Sequence, residues 1–186
     1  MIVHTSTALV IFIFAIPHLF YAFVWTRPKM FQDLIRPPKH PVDAFAIAAT
    51  LLKVVQLFAI IAWLFVHPPA AKELPDIISI RTLTCAGLII IGQILNIAIY
   101  IAIGHDGVYY GIRLGKPCPW HTGFPFSFAG MKIPHPQYLG SVMTIWGLLG
   151  LVLTSTTFEL VYVASASTIY YLLTAAIEDN KLLPTN

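Results

Sequence analysis

The stretch QYLGSVMTIWGLLGLVLTSTTFELVYVASASTIYYLLTAAI (Gln137–Ile177) is 41 residues long and apolar almost throughout. As a single helix it would reach roughly 60 Å, about twice the hydrocarbon core of a bilayer. A polar break, TSTTFE (Thr154–Glu159), falls near its middle. The stretch therefore predicts a tight helical hairpin that either spans a membrane twice or dips in and returns. Upstream lie three further apolar runs, Val3–Trp25, Val42–Val66 and Ile80–Ile103. Each reaches the 20 or so residues that a crossing helix needs. The expected fold is an all-α integral membrane protein of four to five transmembrane helices with a C-terminal helical hairpin. The chain reads as one polytopic domain over residues 1–186.

Composition agrees. Of 186 residues, 58% are hydrophobic and 10% charged, against roughly 25% charged in soluble domains. The net charge of +3 is small and dispersed, which argues against a nucleic-acid partner. The two cysteines, Cys85 and Cys118, form no CxxC, so neither a metal site nor a disulfide framework is expected. The first run is too long for a signal-peptide core and lacks a basic start and a small-residue cleavage site, so it reads as a retained span.

Basic residues set the orientation. Arg27, Lys29, Arg36 and Lys39 lie in the first connection. Arg113, Lys116 and Lys132 lie in the segment 104–140. Alternation puts both segments on one side, with Lys72 and Arg81 on the other. This bias predicts that segment 104–140, rich in glycine, proline and aromatics, faces the cytosol. The tail with Glu178, Asp179 and Lys181 returns to the same side.

Several groups are candidates for chemistry. Gln93, Asn96, Tyr100, Gly104, Gly107, Gly111 and Gly115 recur every three or four residues, so on one helix they would form a single stripe. Two readings stand: close helix packing, or a groove where backbone meets a ligand. Trp120, Phe124, Phe126 and Phe128 either anchor their loop at the headgroup level or roof a pocket. Pro136 suits the first turn of a helix, with His135 as a cap or as part of a site at the amide-rich helix start. Glu178 and Asp179 stand at a helix C-terminus, against its dipole, at up to about 1 kcal/mol each. Lys53, with Gln56 one turn away, and Glu159 are charged groups within apolar stretches. Such groups are functional candidates, although Glu159 falls in the hairpin turn and is expected to be wet.

Taken in order, GQILNIAIY, GVYYGIRLGKPCPW, FPF, HPQYLGSVM and AAIED resemble the phospholipid N-methyltransferase family, over roughly residues 51–179. The likeness is nearest to its small, plant-type members. The wider superfamily includes isoprenylcysteine carboxyl methyltransferases, which usually carry arginine where Pro134 stands here. The resemblance implies S-adenosylmethionine as cofactor and a membrane phospholipid as substrate, in the endoplasmic reticulum. It implies methylation of phosphatidyl-N-methylethanolamine and its dimethyl counterpart toward phosphatidylcholine. It also implies a cofactor site lined by His135, Pro136, Tyr138, Gly140, Glu178 and the end of the third span: Gln93, Asn96, Tyr100, Gly104, Gly107 and Gly111. Two departures are visible. A Gly-x-Gly motif is replaced by the wider spacing Gly104, Gly107, Gly111, and a Glu-Glu pair by Glu178-Asp179.

On this resemblance Glu178 or Asp179 accepts the proton of the substrate ammonium, with His135 the second candidate base. Arg113 or Lys116 binds the lipid phosphate. Carboxyl methylation of a prenylcysteine, and a non-catalytic membrane scaffold or small carrier, remain the alternatives.

Overall fold

The computed structural model describes residues 4–35, 40–119 and 121–180. Arg36, Lys39, Trp120 and Lys181, named above, lie outside the described residues. Helix α1 covers Thr5–Thr26, a short α2 covers Pro28–Leu34, and α3 covers Pro41–Val66. Helix α4 covers Ile80–Val108, followed by a small β1–β2 hairpin (Ser127–Phe128 and Met131–Lys132). The chain ends in α5, Pro136–Leu151, and α6, Leu160–Glu178. Four helices (α1, α3, α4 and α6) are long and apolar enough to cross a membrane. The fifth, α5, has 16 residues, or about 24 Å. The irregular turn Val152–Glu159 supplies the remaining height.

That turn decides between the two hairpin geometries, because it reaches the far end of the bundle. Glu159 meets the start of α1, where His4 N donates to Oε1 at 3.2 Å and Thr7 donates to Oε2. Thr154 accepts from Ala70 N at 3.1 Å, just past the end of α3. Ser155 is bonded twice to Glu73, each bond 2.6 Å. Arg81, at the start of α4, donates to Gly150 O from Nε at 2.9 Å and from Nη2 at 2.7 Å, and also to Leu153 O. The hairpin thus runs the full height of the bundle in both directions. Glu159 is less wet than its sequence position suggests. Its side chain is 16% exposed and is tied to His4 and Thr7.

Packing follows from where small residues fall. A Cβ on Gly92 would lie 2.5 Å from the carbonyl oxygen of Gly140, and one on Gly147 would lie 2.7 Å from that of Cys85. The α4–α5 pair can therefore close only with glycine at these places. Val10, Phe14, Trp63, Leu149, Leu160, Val163 and Ala164 form one apolar core among α1, α3, α5 and α6. A second core of Val24, Phe31, Val42, Phe45, Tyr110 and Leu114 sits at the opposite end from the hairpin turn. It anchors the chain after α4 against α1, α2 and α3. Intramembrane polar groups are satisfied within the bundle: Gln56 donates to Phe14 O at 3.1 Å and Lys53 to the Tyr171 hydroxyl at 2.7 Å.

The single polar-and-glycine stripe does not survive. Gly104 has φ 68° and ψ 177°, which breaks α4 four residues before its end. Such a conformation is open to glycine and strained for other residues. Gly111 and Gly115 lie beyond the helix, in turns. The stripe needs one continuous helix to stay on one face, and the break ends it.

Candidate functional site

The chain immediately after α4 turns back on itself, with Gly111 N donating to Asp106 O at 2.6 Å. The turn leaves Tyr110 at φ 58°, buried against Phe45, whose ring stacks on it at 4.9 Å. From there the Tyr110 hydroxyl meets the Tyr138 hydroxyl at 3.0 Å. Both phenols donate to Oε1 of Glu178, the last residue of α6. Three segments far apart in sequence therefore converge on one carboxylate. Burial, and then the Glu178 charge, pushes the Tyr110 phenol well above the ordinary tyrosine range. It remains a neutral donor.

His135 completes the cluster. It precedes Pro136, the first residue of α5, in the left-handed conformation at φ 47° and ψ 57°. Its side chain forms no capping bond to that helix. The ring instead stacks on Tyr138, nearly parallel at 5.4 Å. Nδ1 lies 3.4 Å from Glu178 Oε2, and Nε2 lies 3.1 Å from Asp179 Oδ1. The bond to Glu178 raises the pKa of His135 above the ordinary 6.5; partial burial opposes this and the bond to Asp179 adds to it. The two acids stand at the C-terminal end of α6, where its dipole disfavours them. The phenol and imidazole donors offset that placement.

Two cavities share this wall. One, of about 200 Å³, is lined by Trp25, Ile99, Gly107, Tyr110, Phe126, His135, Pro136, Tyr138 and Glu178, among others. The other is a groove of about 700 Å³ between α5 and α6. It runs from Met131–His135 and Asp179 down past Leu139, Val142, Leu172 and Ala176. His135 and Tyr138 line both.

The residues expected from sequence divide into two sets. His135, Pro136, Tyr138, Glu178 and Gly107 line the smaller cavity, and Asp179 lines the groove. The others are placed elsewhere. Gln93 donates to Thr144 at 2.9 Å across the α4–α5 contact, where Asn96 and Gly140 also meet. Tyr100 donates to the Tyr109 hydroxyl at 2.8 Å. Gly104 forms the break in α4, and Gly111 packs on Asp106 O. Arg113 donates to Trp25 O at 3.1 and 2.7 Å and lies 5.0 Å from the Trp25 ring centre, closing the end of α1. Lys116 pairs with Asp106 at 3.1 Å.

Tyr110 and Trp25 are not among the residues expected from sequence, whereas Phe126, one of the aromatics that could roof a pocket, does line the smaller cavity. The signal for Tyr110 is GVYYG, where two adjacent tyrosines stand between glycines just past an apolar run.

A sequence profile of the phospholipid methyltransferase family matches residues 80–183, which include His135, Tyr138, Tyr110, Glu178 and Asp179. Over 135 residues the chain is 32% identical to the phosphatidyl-N-methylethanolamine N-methyltransferase of Arabidopsis thaliana, an alignment covering 70% of each chain. No solved structure matches it. With its apolar helices and the histidine–carboxylate cluster between two cavities, the chain belongs to the phospholipid methyltransferase family and is an integral membrane methyltransferase.

Proposed function

We propose that the protein methylates the nitrogen of phosphatidyl-N-methylethanolamine and phosphatidyl-N,N-dimethylethanolamine, using S-adenosylmethionine, to give phosphatidylcholine. The observation that carries this reading is His135, held between Glu178 and Asp179 on the wall that two cavities share. The name of the plant relative supports the acceptor class. The excess of basic residues near this end of the bundle supports a cytosolic site, and the family resemblance supports the endoplasmic reticulum.

The lining of the smaller cavity suits the sulfonium of the donor. A sulfonium needs a negative charge or aromatic faces nearby, and this cavity offers Glu178 with Trp25, Tyr110, Phe126 and Tyr138. Gly107 makes room for the Ile103 side chain beside the cavity, where a Cβ would lie 2.7 Å from Ile103 Cβ. When bound there, S-adenosylmethionine supplies a methyl group on positively charged sulfur.

The chain's own residues then have two tasks. One is positioning, which holds donor and acceptor in line and contributes most of the acceleration. The other is proton removal, because the acceptor arrives as an ammonium and its nitrogen needs a free lone pair. The geometry supports the opposite order of bases from the one expected from sequence. Glu178 Oε1 already accepts from two phenols, so its lone pairs are engaged before a substrate arrives. His135 Nε2 takes the proton, while Glu178 orients the ring through Nδ1 and stabilises the imidazolium. Asp179, 71% exposed, attracts the cationic headgroup and passes the proton to water. The new N–C bond forms as the S–C bond breaks, with the electron pair left on sulfur and the positive charge transferred to nitrogen.

The test offers membranes labelled S-adenosylmethionine with phosphatidylethanolamine, its monomethyl and dimethyl forms, and a prenylcysteine in parallel. Label is expected in the monomethyl and dimethyl lipids. Label in the prenylcysteine alone, or in none of the four, would overturn the proposal.

A further inference from the structure

We infer that the groove between α5 and α6 is the acceptor site, and that Lys132 is the residue that binds the acceptor's phosphate. The inference rests on the methyltransferase reading above and adds to it where the lipid lies.

Arg113 and Lys116 are engaged, one with the end of α1 and the other with Asp106. Lys53 bonds to Tyr171, which lies seven residues before Glu178 on α6, or about 10 Å deeper in the bundle. Lys132 differs from all three. It stands on β2 at the mouth of the groove, exposed, and among the described residues its side chain has no hydrogen bond or ion pair.

The groove's charges match one kind of ligand. Lys132 offers a cation for a phosphodiester, and Asp179, beside His135, offers a carboxylate for an ammonium. Below them the lining turns apolar: Leu139 and Leu172 are 44% and 65% exposed, with Val142 and Ala176 beside them. A glycerophospholipid with a cationic amino headgroup satisfies all three zones at once. One acyl chain lies along α5 and α6, the phosphate meets Lys132, and the amine reaches His135 Nε2. The chain side of the groove opens toward the bilayer, so the lipid slides in sideways without leaving the membrane.

The test measures transfer to phosphatidyl-N-methylethanolamine at varied mole fraction in phosphatidylcholine vesicles holding the full-length protein. Lys132→Glu is expected to raise the acceptor KM about tenfold or more, with affinity for S-adenosylhomocysteine unchanged, and Lys132→Arg to restore it. Ala176→Trp, which fills the groove, is expected to raise the same KM with the same unchanged affinity. Retained S-adenosylhomocysteine affinity shows that each variant is folded. A phospholipid with a photoreactive acyl chain is expected to label α5 and α6 peptides. An unchanged acceptor KM in both Lys132→Glu and Ala176→Trp, or labelling confined to α3 and α4, would overturn the groove assignment. Absence of transfer to any phospholipid by the unaltered protein would instead sink the methyltransferase reading itself.

Discussion

Each end of the bundle sets a histidine against a glutamate. At the hairpin-turn end, His4 Nδ1 lies 2.9 Å from Glu159 Oε1, and at the other end His135 Nδ1 lies 3.4 Å from Glu178 Oε2. Both carboxylates also accept from hydroxyls: Glu159 from Thr7, Glu178 from Tyr110 and Tyr138. The pairs are chemically alike, but their surroundings are not. Glu159 joins the turn to the start of α1, among bonds from Glu73, Arg81 and Thr154 that tie backbone to side chain. His135 lines two cavities and Glu178 the smaller of them. A charged pair within an apolar chain is a candidate site by default. On the proposed function, the neighbouring cavity, more than the pair, separates a tie from a reactive centre.

The largest expected effect breaks the symmetry between the two pairs. Glu178→Gln or His135→Ala should lower kcat for lipid methylation by about 10²–10⁴-fold, the usual range for lost acid–base assistance. A loss below tenfold in both would remove the pair from the chemistry. Next comes the turn end. Arg81→Ala strips donors from the carbonyls of Gly150 and Leu153, which should destabilise the fold by about 1–3 kcal/mol. A thermal melt in detergent would show it as a lower Tm, with activity per folded molecule preserved.

A smaller effect is expected at Tyr110. Tyr110→Phe leaves Glu178 Oε1 with one phenol and should lower kcat/KM about three- to tenfold, the value of roughly one hydrogen bond. An unchanged kcat/KM would mean that Tyr138 alone holds the carboxylate.

The smallest effect is in pH. His135 is raised above 6.5, chiefly by Glu178 and further by Asp179. Its protonated form is therefore favoured in the folded protein, so the pair's stabilisation is fully present below pH 6.5 and fades as pH rises through the raised value. Catalysis needs the neutral ring, so kcat/KM should climb over that same window. Asp179→Asn removes one raising contact and should move the acid limb to lower pH. An upward movement would contradict the assignment of His135 as base.

Much of the fold was legible because apolar run length is a strong signal. The 41-residue run with TSTTFE inside it has few structural solutions in a bilayer. The break at Gly104 was not legible. A glycine four residues after Tyr100 and three before Gly107 suits a continuous helix as well as a broken one, and only the backbone angles tell them apart. Close helix packing through small residues occurs at positions outside the glycine stripe. Gly92, Gly140 and Gly147 bring α4 and α5 together, whereas Gly104 and Gly111 shape the chain at and beyond the end of α4.

At the site, Glu178 and Asp179 betrayed themselves by standing against a helix dipole. His135 stood out as a polar residue between prolines. Tyr110 gave no such sign, since an aromatic residue at a membrane edge is usually only an anchor. Its contact with Glu178 joins residues 68 apart and depends on the turn that follows α4.

The account rests on the two histidine–glutamate pairs having different work. The most direct test compares Glu178→Gln and Glu159→Gln, measuring S-adenosylhomocysteine binding by calorimetry and labelled methyl transfer to phosphatidyl-N-methylethanolamine on the same preparations. The account predicts that Glu178→Gln weakens binding and abolishes transfer, while folded Glu159→Gln keeps both within about twofold of the unaltered protein. Full binding and transfer by Glu178→Gln would contradict it.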